Sequence, residues 1–134
     1  MAASIRVPAA VRKAIIDHAR RDRPQECCGL LVGSGARVEY AAPMRNVAAS
    51  ATRYRIDDAA HIDLRRVIRA FQPPLEIVGV YHSHPAGPPR PSPLDIEEAL
   101  YPEWAYLIVG LEGPRPLLRA YRIRQGEVRI LSIR

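Results

Sequence analysis

Leu75 to Tyr81 is an aliphatic and aromatic run that passes without a break into His82-Ser83-His84 and then meets prolines at 85, 88, 89 and 91. A run of this make-up, with Pro73-Pro74 behind it, is expected to be a central strand. Proline cannot donate to a ladder, so the strand must end where the prolines begin. Side chains on a strand alternate, so His82 and His84 project from one face and Ser83 from the other. Two imidazoles on anchored backbone need one carboxylate from the next element to make a facial N, N, O set. That set, with a fourth tetrahedral position open, is what hydrolytic zinc requires. Asp95 is placed to supply the carboxylate, just after Ser92-Pro93, a good helix start. The same residues also read as a capping box, with Ser92 the cap and Asp95 its acidic partner. The two readings are compatible, because a carboxylate in a helix's first turn is held in a fixed orientation.

Glu26, His82-Ser83-His84-Pro85, Ser92 and Asp95, at these spacings, resemble the signature of the JAMM (MPN-plus, Mov34/MPN/PAD-1) zinc metallopeptidase family. The segment Pro24-Gln25-Glu26-Cys27-Cys28-Gly29-Leu30-Leu31-Val32-Gly33 is similar to the opening of its small standalone bacterial members. A weaker likeness continues from Asn46 to Asp57 and through the closing strands. The resemblance implies one α/β domain over residues 1–134, of the cytidine-deaminase-like JAMM/MPN fold, with a mixed central sheet flanked by helices. It implies that His82, His84 and Asp95 bind zinc, that Glu26 acts on the bound water, and that Ser92 helps to hold the oxyanion. For the bacterial branch it implies hydrolysis after the Gly-Gly tail of a ubiquitin-like sulfur-carrier protein, releasing cysteine or trimming extra residues. The stretch from His84 to Ser92 also resembles the DNA-repair-associated RadC family, which leaves a nucleic-acid-associated protein as the alternative; the Glu26-Cys27-Cys28-Gly29 opening argues against it.

The residue chemistry suits these roles. Metal-assisted hydrolysis needs an uncoordinated base within reach of the water, and a carboxylate can take that proton and return it to a leaving amine. A serine hydroxyl can donate to a tetrahedral intermediate. Cys27 and Cys28 flank Glu26 and suggest a thiol nucleophile, but no separate His/acid pair remains to activate one, and free cysteines behave as small buried hydrophobes. Ser83 is expected to be structural. His18 and His61 lie on expected helices without ligand spacing. Gly29 and Gly33 are expected to serve close packing and a turn.

Composition narrows the rest. At 134 residues the chain is large enough to bury about two-thirds of its unfolded surface. No apolar run approaches the ~20 residues of a membrane span, and the first twelve residues hold no signal-peptide core, so a cytoplasmic protein is expected. The net charge of +6 comes almost wholly from arginine, with Lys13 the one lysine. An arginine-biased genome gives this balance without functional meaning, and a basic face that attracts an acidic protein partner or nucleic acid gives it too. With 6% aromatic residues and no aromatic-interleaved basic motif nothing supports nucleic acid specifically, and charge alone does not decide.

Helical spacing from Val11 to Ala19 predicts a first helix, with Pro8 in its first turn and Asp22-Arg23-Pro24 ending it. Strands are expected over Cys27 to Val32, Arg37 to Ala42 and Tyr54 to Ile56, with a loop from Asn46 to Thr52. Asp57 or Asp58 caps a second helix whose apolar stripe is Ala60, Leu64, Val67, Ile68 and Phe71. After the helix at Ser92-Pro93, strands follow over 104–111, 117–124 and 128–133, the last two joined by a turn at Gln125-Gly126-Glu127.

Overall fold

A computed structural model describes residues 3–134. The elements run β1 Ser4–Ile5, α1 Ala9–Asp22, β2 Cys28–Ser34, β3 Arg37–Met44, α2 Asp58–Arg69, β4 Glu76–His84, α3 Pro93–Glu97, β5 Ala105–Gly110, β6 Leu117–Arg124 and β7 Glu127–Ile133. The strands form one seven-stranded sheet in the order β1-β7-β6-β5-β4-β2-β3. β4 pairs parallel with β5 and β1 parallel with β7, while the other neighbours are antiparallel, so the sheet is mixed.

Each face of the sheet carries its own core. Ile15 and Ala19 of α1 pack with Leu31, Tyr81, Leu107 and Val109 on one side. Ile68 of α2 packs with Leu30, Val80, Ile108 and Tyr121 on the other. β4 is bound on both edges, as its aliphatic run requires. Its register against β2 jumps from Leu31↔Gly79 to Val32↔Ile77, which leaves Val78 as the extra residue of a β-bulge. Beyond the bulge the alternation is regular. Val80 faces the α2 side and Tyr81 the α1 side, so His82 and His84 emerge on the α2 side.

Several boundaries differ from expectation. Pro8 is the cap of α1 and not its first residue. Tyr54 to Ile56 is not a strand: only an isolated bridge, Asn46↔Ile56, forms there, because Tyr54 turns inward to pack beneath β4. β1 is too short to show a period; it is held by β7 and followed by a bridge from Arg6 to Arg37. In α2 the stripe is narrower than expected. Ile68 is buried, but Val67 is 59% and Phe71 41% exposed, since α2 touches the sheet along the Leu64/Ile68 line alone. Phe71 instead meets Tyr40 edge-on at 6.3 Å. The final hairpin turns on two residues, Gln125 and Gly126, both at positive φ, with Glu127 already in β7.

Gly29 marks a close approach between strand and core: a Cβ there would overlap the Tyr81 ring. That ring is fixed by a 2.7 Å hydrogen bond between its hydroxyl and His18 Nδ1. Gly29→Ala is therefore expected to cost about 2 kcal/mol, measured by denaturant unfolding, and Tyr81→Phe in the same background should not restore it. An unchanged midpoint would show that the ring moves freely.

Candidate metal centre

β4 delivers His82 and His84 side by side, and α3 brings Asp95 to them from across the proline loop. His82 Nε2 lies 3.1 Å from His84 Nε2 and 3.2 Å from Asp95 Oδ2, and His84 Nε2 lies 3.1 Å from that same oxygen. Donors at zinc-like bond lengths in a tetrahedron stand about 3.3 Å apart, so the triangle has the size of one metal's coordination face. The three form the group among the described residues that could hold an ion. The tautomers fit too. His84 Nδ1 donates to the Pro88 carbonyl at 2.8 Å, which leaves Nε2 of the neutral ring with a lone pair directed at the other two ligand atoms. Lone pairs converging in a half-buried site repel unless protons or a cation lie between them.

The prolines thus orient the second histidine, and the capping box orients the carboxylate. Ser92 Oγ accepts from Asp95 N–H at 3.1 Å, and Asp95 Oδ2 accepts from Ser92 N–H at 2.9 Å. The capping and ligating geometries coexist on one oxygen. His82 is covered by Tyr54, whose ring stacks on it at 4.4 Å and 21°. Burial depresses the basicity of His82. Burial also opposes charge on His84, but the Asp95 and Pro88 hydrogen bonds outweigh it and raise that ring's pKa. At Asp95 desolvation works against the anion, and the two imidazoles in their protonated form, together with the Ser92 N–H, overcome it and hold the carboxyl well below the usual range.

Glu26 sits at the mouth of β2, 3% exposed, with Oε1 unpaired. Burial, tempered by the charge of His84, pushes its carboxyl up to about 8. It shares a cavity of about 200 Å³ with His84, Ala86, Thr52 and Ser92, so a carboxyl, an imidazole and a hydroxyl open on one space. The backbone of Glu26 is clamped on both sides: its N–H donates to Ser50 O at 2.8 Å and its carbonyl accepts from Asn46 Nδ2 at 3.0 Å. Asn46 also donates to Arg53 O at 2.9 Å and accepts from Ala48 and Arg55 N–H at 3.0 Å. All four of its hydrogen-bonding positions are filled.

Asn46 and Tyr54 are the residues of this site that the sequence did not single out. Asn46 falls in an aperiodic polar loop, and Tyr54 looked like part of a strand. The remaining polar residues stand where expected. Ser83 Oγ accepts from Cys27 N–H at 2.8 Å on the face away from the triad. Cys27 and Cys28 are free and buried, and burial pushes their thiols up to about 11 and 12, far from a nucleophile's range. His18 is tied to Tyr81 and Asp22, and His61 to Arg65, and neither joins the group of His82, His84 and Asp95.

The family profile described as prokaryotic homologs of the JAB domain matches residues 8–124. The chain is 40% identical over 119 residues to the CysO-cysteine peptidase of Mycobacterium tuberculosis, covering 86% of this chain and 80% of that protein. It is 37% identical over 129 residues to the desampylase of Haloferax volcanii, covering 91% and 89%. A solution structure of a Desulfitobacterium hafniense protein superposes with a TM-score of 0.87 at 30% identity, covering 97% of this chain and 91% of that one.

Two measurements test the site's physics. In metal-free protein, Glu26 has a folded pKa near 8 against a usual 4.5, so the folded chain keeps a proton that the unfolded chain releases. Its contribution to stability is whole below about pH 4.5 and lost as the pH climbs to about 8. Denaturation curves should show the wild type weakening relative to Glu26→Gln across that window; parallel pH profiles would mean that the carboxyl ionises without cost. Asn46→Ala leaves two carbonyls and two N–H groups without partners, and is expected to lose about 2–4 kcal/mol in the same assay. A loss under about 1 kcal/mol would mean that water takes over the clamp.

Proposed function

The chain belongs to the prokaryotic homologues of the JAB domain, and we propose that it is a zinc peptidase that hydrolyses the amide bond after the Gly-Gly tail of a ubiquitin-like sulfur-carrier protein. One observation carries the reading: two imidazole nitrogens and a carboxylate oxygen converge at 3.1–3.2 Å beside a cavity shared by a buried, unpaired glutamate and a serine. The peptidase names of its relatives support cleavage of an amide and favour this reading over the nucleic-acid-associated one. Residues 1–134 make one such domain, acting in the cytoplasm. No helix among the described residues is long and apolar enough to cross a membrane.

His82, His84 and Asp95 would hold the zinc. When bound there, zinc supplies a Lewis acid for the carbonyl and a water that ionises near neutral pH. Glu26 would accept the water's proton and pass it to the departing nitrogen; a cation held beside it opposes the rise that burial imposes, so the carboxylate form is available as the base. Ser92 Oγ already accepts from Asp95 N–H, so its own O–H is free to donate to the oxygen that gains charge at the scissile carbonyl. Small residues, Ala51, Ala86 and Gly87, wall the cavity on the Glu26 side. Glycine at the cut site lets the tail's backbone come close without a side-chain clash.

The test is a ubiquitin-like carrier extended past Gly-Gly by one residue, followed by mass spectrometry. The wild type should release the residue, a chelator should stop it and zinc restore it. Glu26→Gln should keep one zinc per chain by elemental analysis while losing ~10²-fold or more in rate; Asp95→Ala should lose the zinc. Equal zinc in the wild type and His84→Ala, or metal loss in Glu26→Gln, would overturn the assignment of roles.

A further inference from the structure

Two successive prolines constrain how the loop after β4 can hold a metal ligand still. Pro88 and Pro89 have no N–H, so this segment is anchored only through its carbonyls and its rings. The Pro88 carbonyl accepts from His84 Nδ1 and also from Arg90 N–H, both at 2.8 Å. The second bond spans two residues and closes a γ-turn centred on Pro89, whose ring sets φ in the range that such a turn uses. Pro89 is held from outside the loop at two points. Its ring lies on the backbone of Gly110, where a Cβ would come within 2.9 Å of the proline Cδ. Its carbonyl accepts from the hydroxyl of Tyr121, a buried residue of β6, at 2.6 Å. Gly110 is also the β5 partner of His84 in the sheet, so the end of the ligand strand and the tip of the loop are referred to one residue.

We propose that Tyr121 is a positioning residue for the metal centre: its hydroxyl holds the Pro89 carbonyl, the turn about Pro89 places the Pro88 carbonyl, and that carbonyl keeps the His84 proton on Nδ1. The inference rests on the metal reading of the proposed function. Two acceptors compete for the one proton of a neutral His84. Asp95 Oδ2, 3.1 Å from Nε2, draws it towards the nitrogen that has to ligate, and Pro88 O draws it to the other. The outcome depends on how well Pro88 O is placed, because the partner of one ring nitrogen decides which nitrogen carries the proton. The contact with Gly110 is a wall: it stops Pro89 from moving inward but leaves the turn free to tilt away. The Tyr121 hydroxyl is a tether on the same residue and removes that freedom. A buried tyrosine hydroxyl takes a partner in any core, and Tyr81 supplies the comparison, since its hydroxyl bonds His18 on the opposite side of the sheet.

The experiment compares the wild type with Tyr121→Phe and Tyr81→Phe, each of which loses one hydroxyl and keeps its ring. Zinc affinity is read by competition with a chromophoric chelator, and the imidazole protons of the zinc-loaded proteins by NMR. Tyr121→Phe is expected to bind zinc about 10-fold more weakly, while Tyr81→Phe stays within about twofold of the wild type although it loses a hydrogen bond of the same kind. The His84 Nδ1 proton is expected to be visible in the wild type and in Tyr81→Phe, and lost to exchange with water in Tyr121→Phe. Equal zinc affinity in the wild type and Tyr121→Phe, an equal loss of affinity in both variants, or an Nδ1 proton as slow to exchange in Tyr121→Phe as in the wild type overturns the positioning role and leaves the peptidase reading intact. A wild type that takes up no zinc overturns both.

Discussion

The position of β4 between two hydrogen-bonded neighbours is the constraint on which the site depends. Its ladder to β2 on one edge and to β5 on the other fixes the backbone from Gly79 to His82 on both sides. The bulge at Val78 sets which side of the sheet the last residues face, so a local irregularity four residues away decides where two imidazoles point. The same strand packs Tyr81 beneath α1 and Val80 beneath α2. Metal ligands placed at the end of such a strand inherit the rigidity of both cores and need little organisation of their own.

Around that fixed strand the other components come from less regular chain, and each is tied down by polar contacts instead of packing. The loop from Asn46 to Ile56 is held by a saturated asparagine, and through it the backbone of Glu26 is held as well. This matters because Glu26 occupies an unfavourable place. A carboxyl removed from water, with one oxygen unpaired, drifts towards its neutral form or towards solvent unless its backbone cannot follow. The clamp at Ser50 and Asn46 prevents that movement. What is costly for folding suits the proposed role of a group that holds and releases a proton.

The central strand, the proline loop, both long helices and the facing of His82 and His84 were legible in the sequence, since period, proline chemistry and capping are local. Asp57 caps α2 through Ala60 N–H as its residue type suggests. What could not be read were features settled by distant chain. Tyr54 to Ile56 has strand-like residues, but pairing there stops at the single bridge Asn46↔Ile56, and Tyr54 stacks on His82 instead. Val67 and Phe71 fit a helical stripe, yet burial depends on how the helix leans, and α2 meets the sheet along one narrow line. Asn46 carries no pattern at all: its importance lies in four partners, which come from Glu26 and from three positions in its own loop. β1 has two residues and exists because β7 ends beside it.

Asp95 shows how a short helix can serve a site. At five residues, α3 is far below the length at which a helix stands alone in water. Its capping box offsets part of that deficit by satisfying two N–H groups that the first turn would otherwise leave open. The oxygen that closes the box is the one directed at His82 and His84. Helix capping and ligand placement are therefore one interaction and not two. A carboxylate fixed in this way loses little freedom when a cation arrives, so the attraction goes into binding. The same bond ties Ser92 to the position of Asp95, which puts the hydroxyl proposed for the oxyanion in register with the metal face. Removing either partner of the box displaces both groups, and this is why a serine and an aspartate three residues apart carry more meaning here than a capping motif elsewhere.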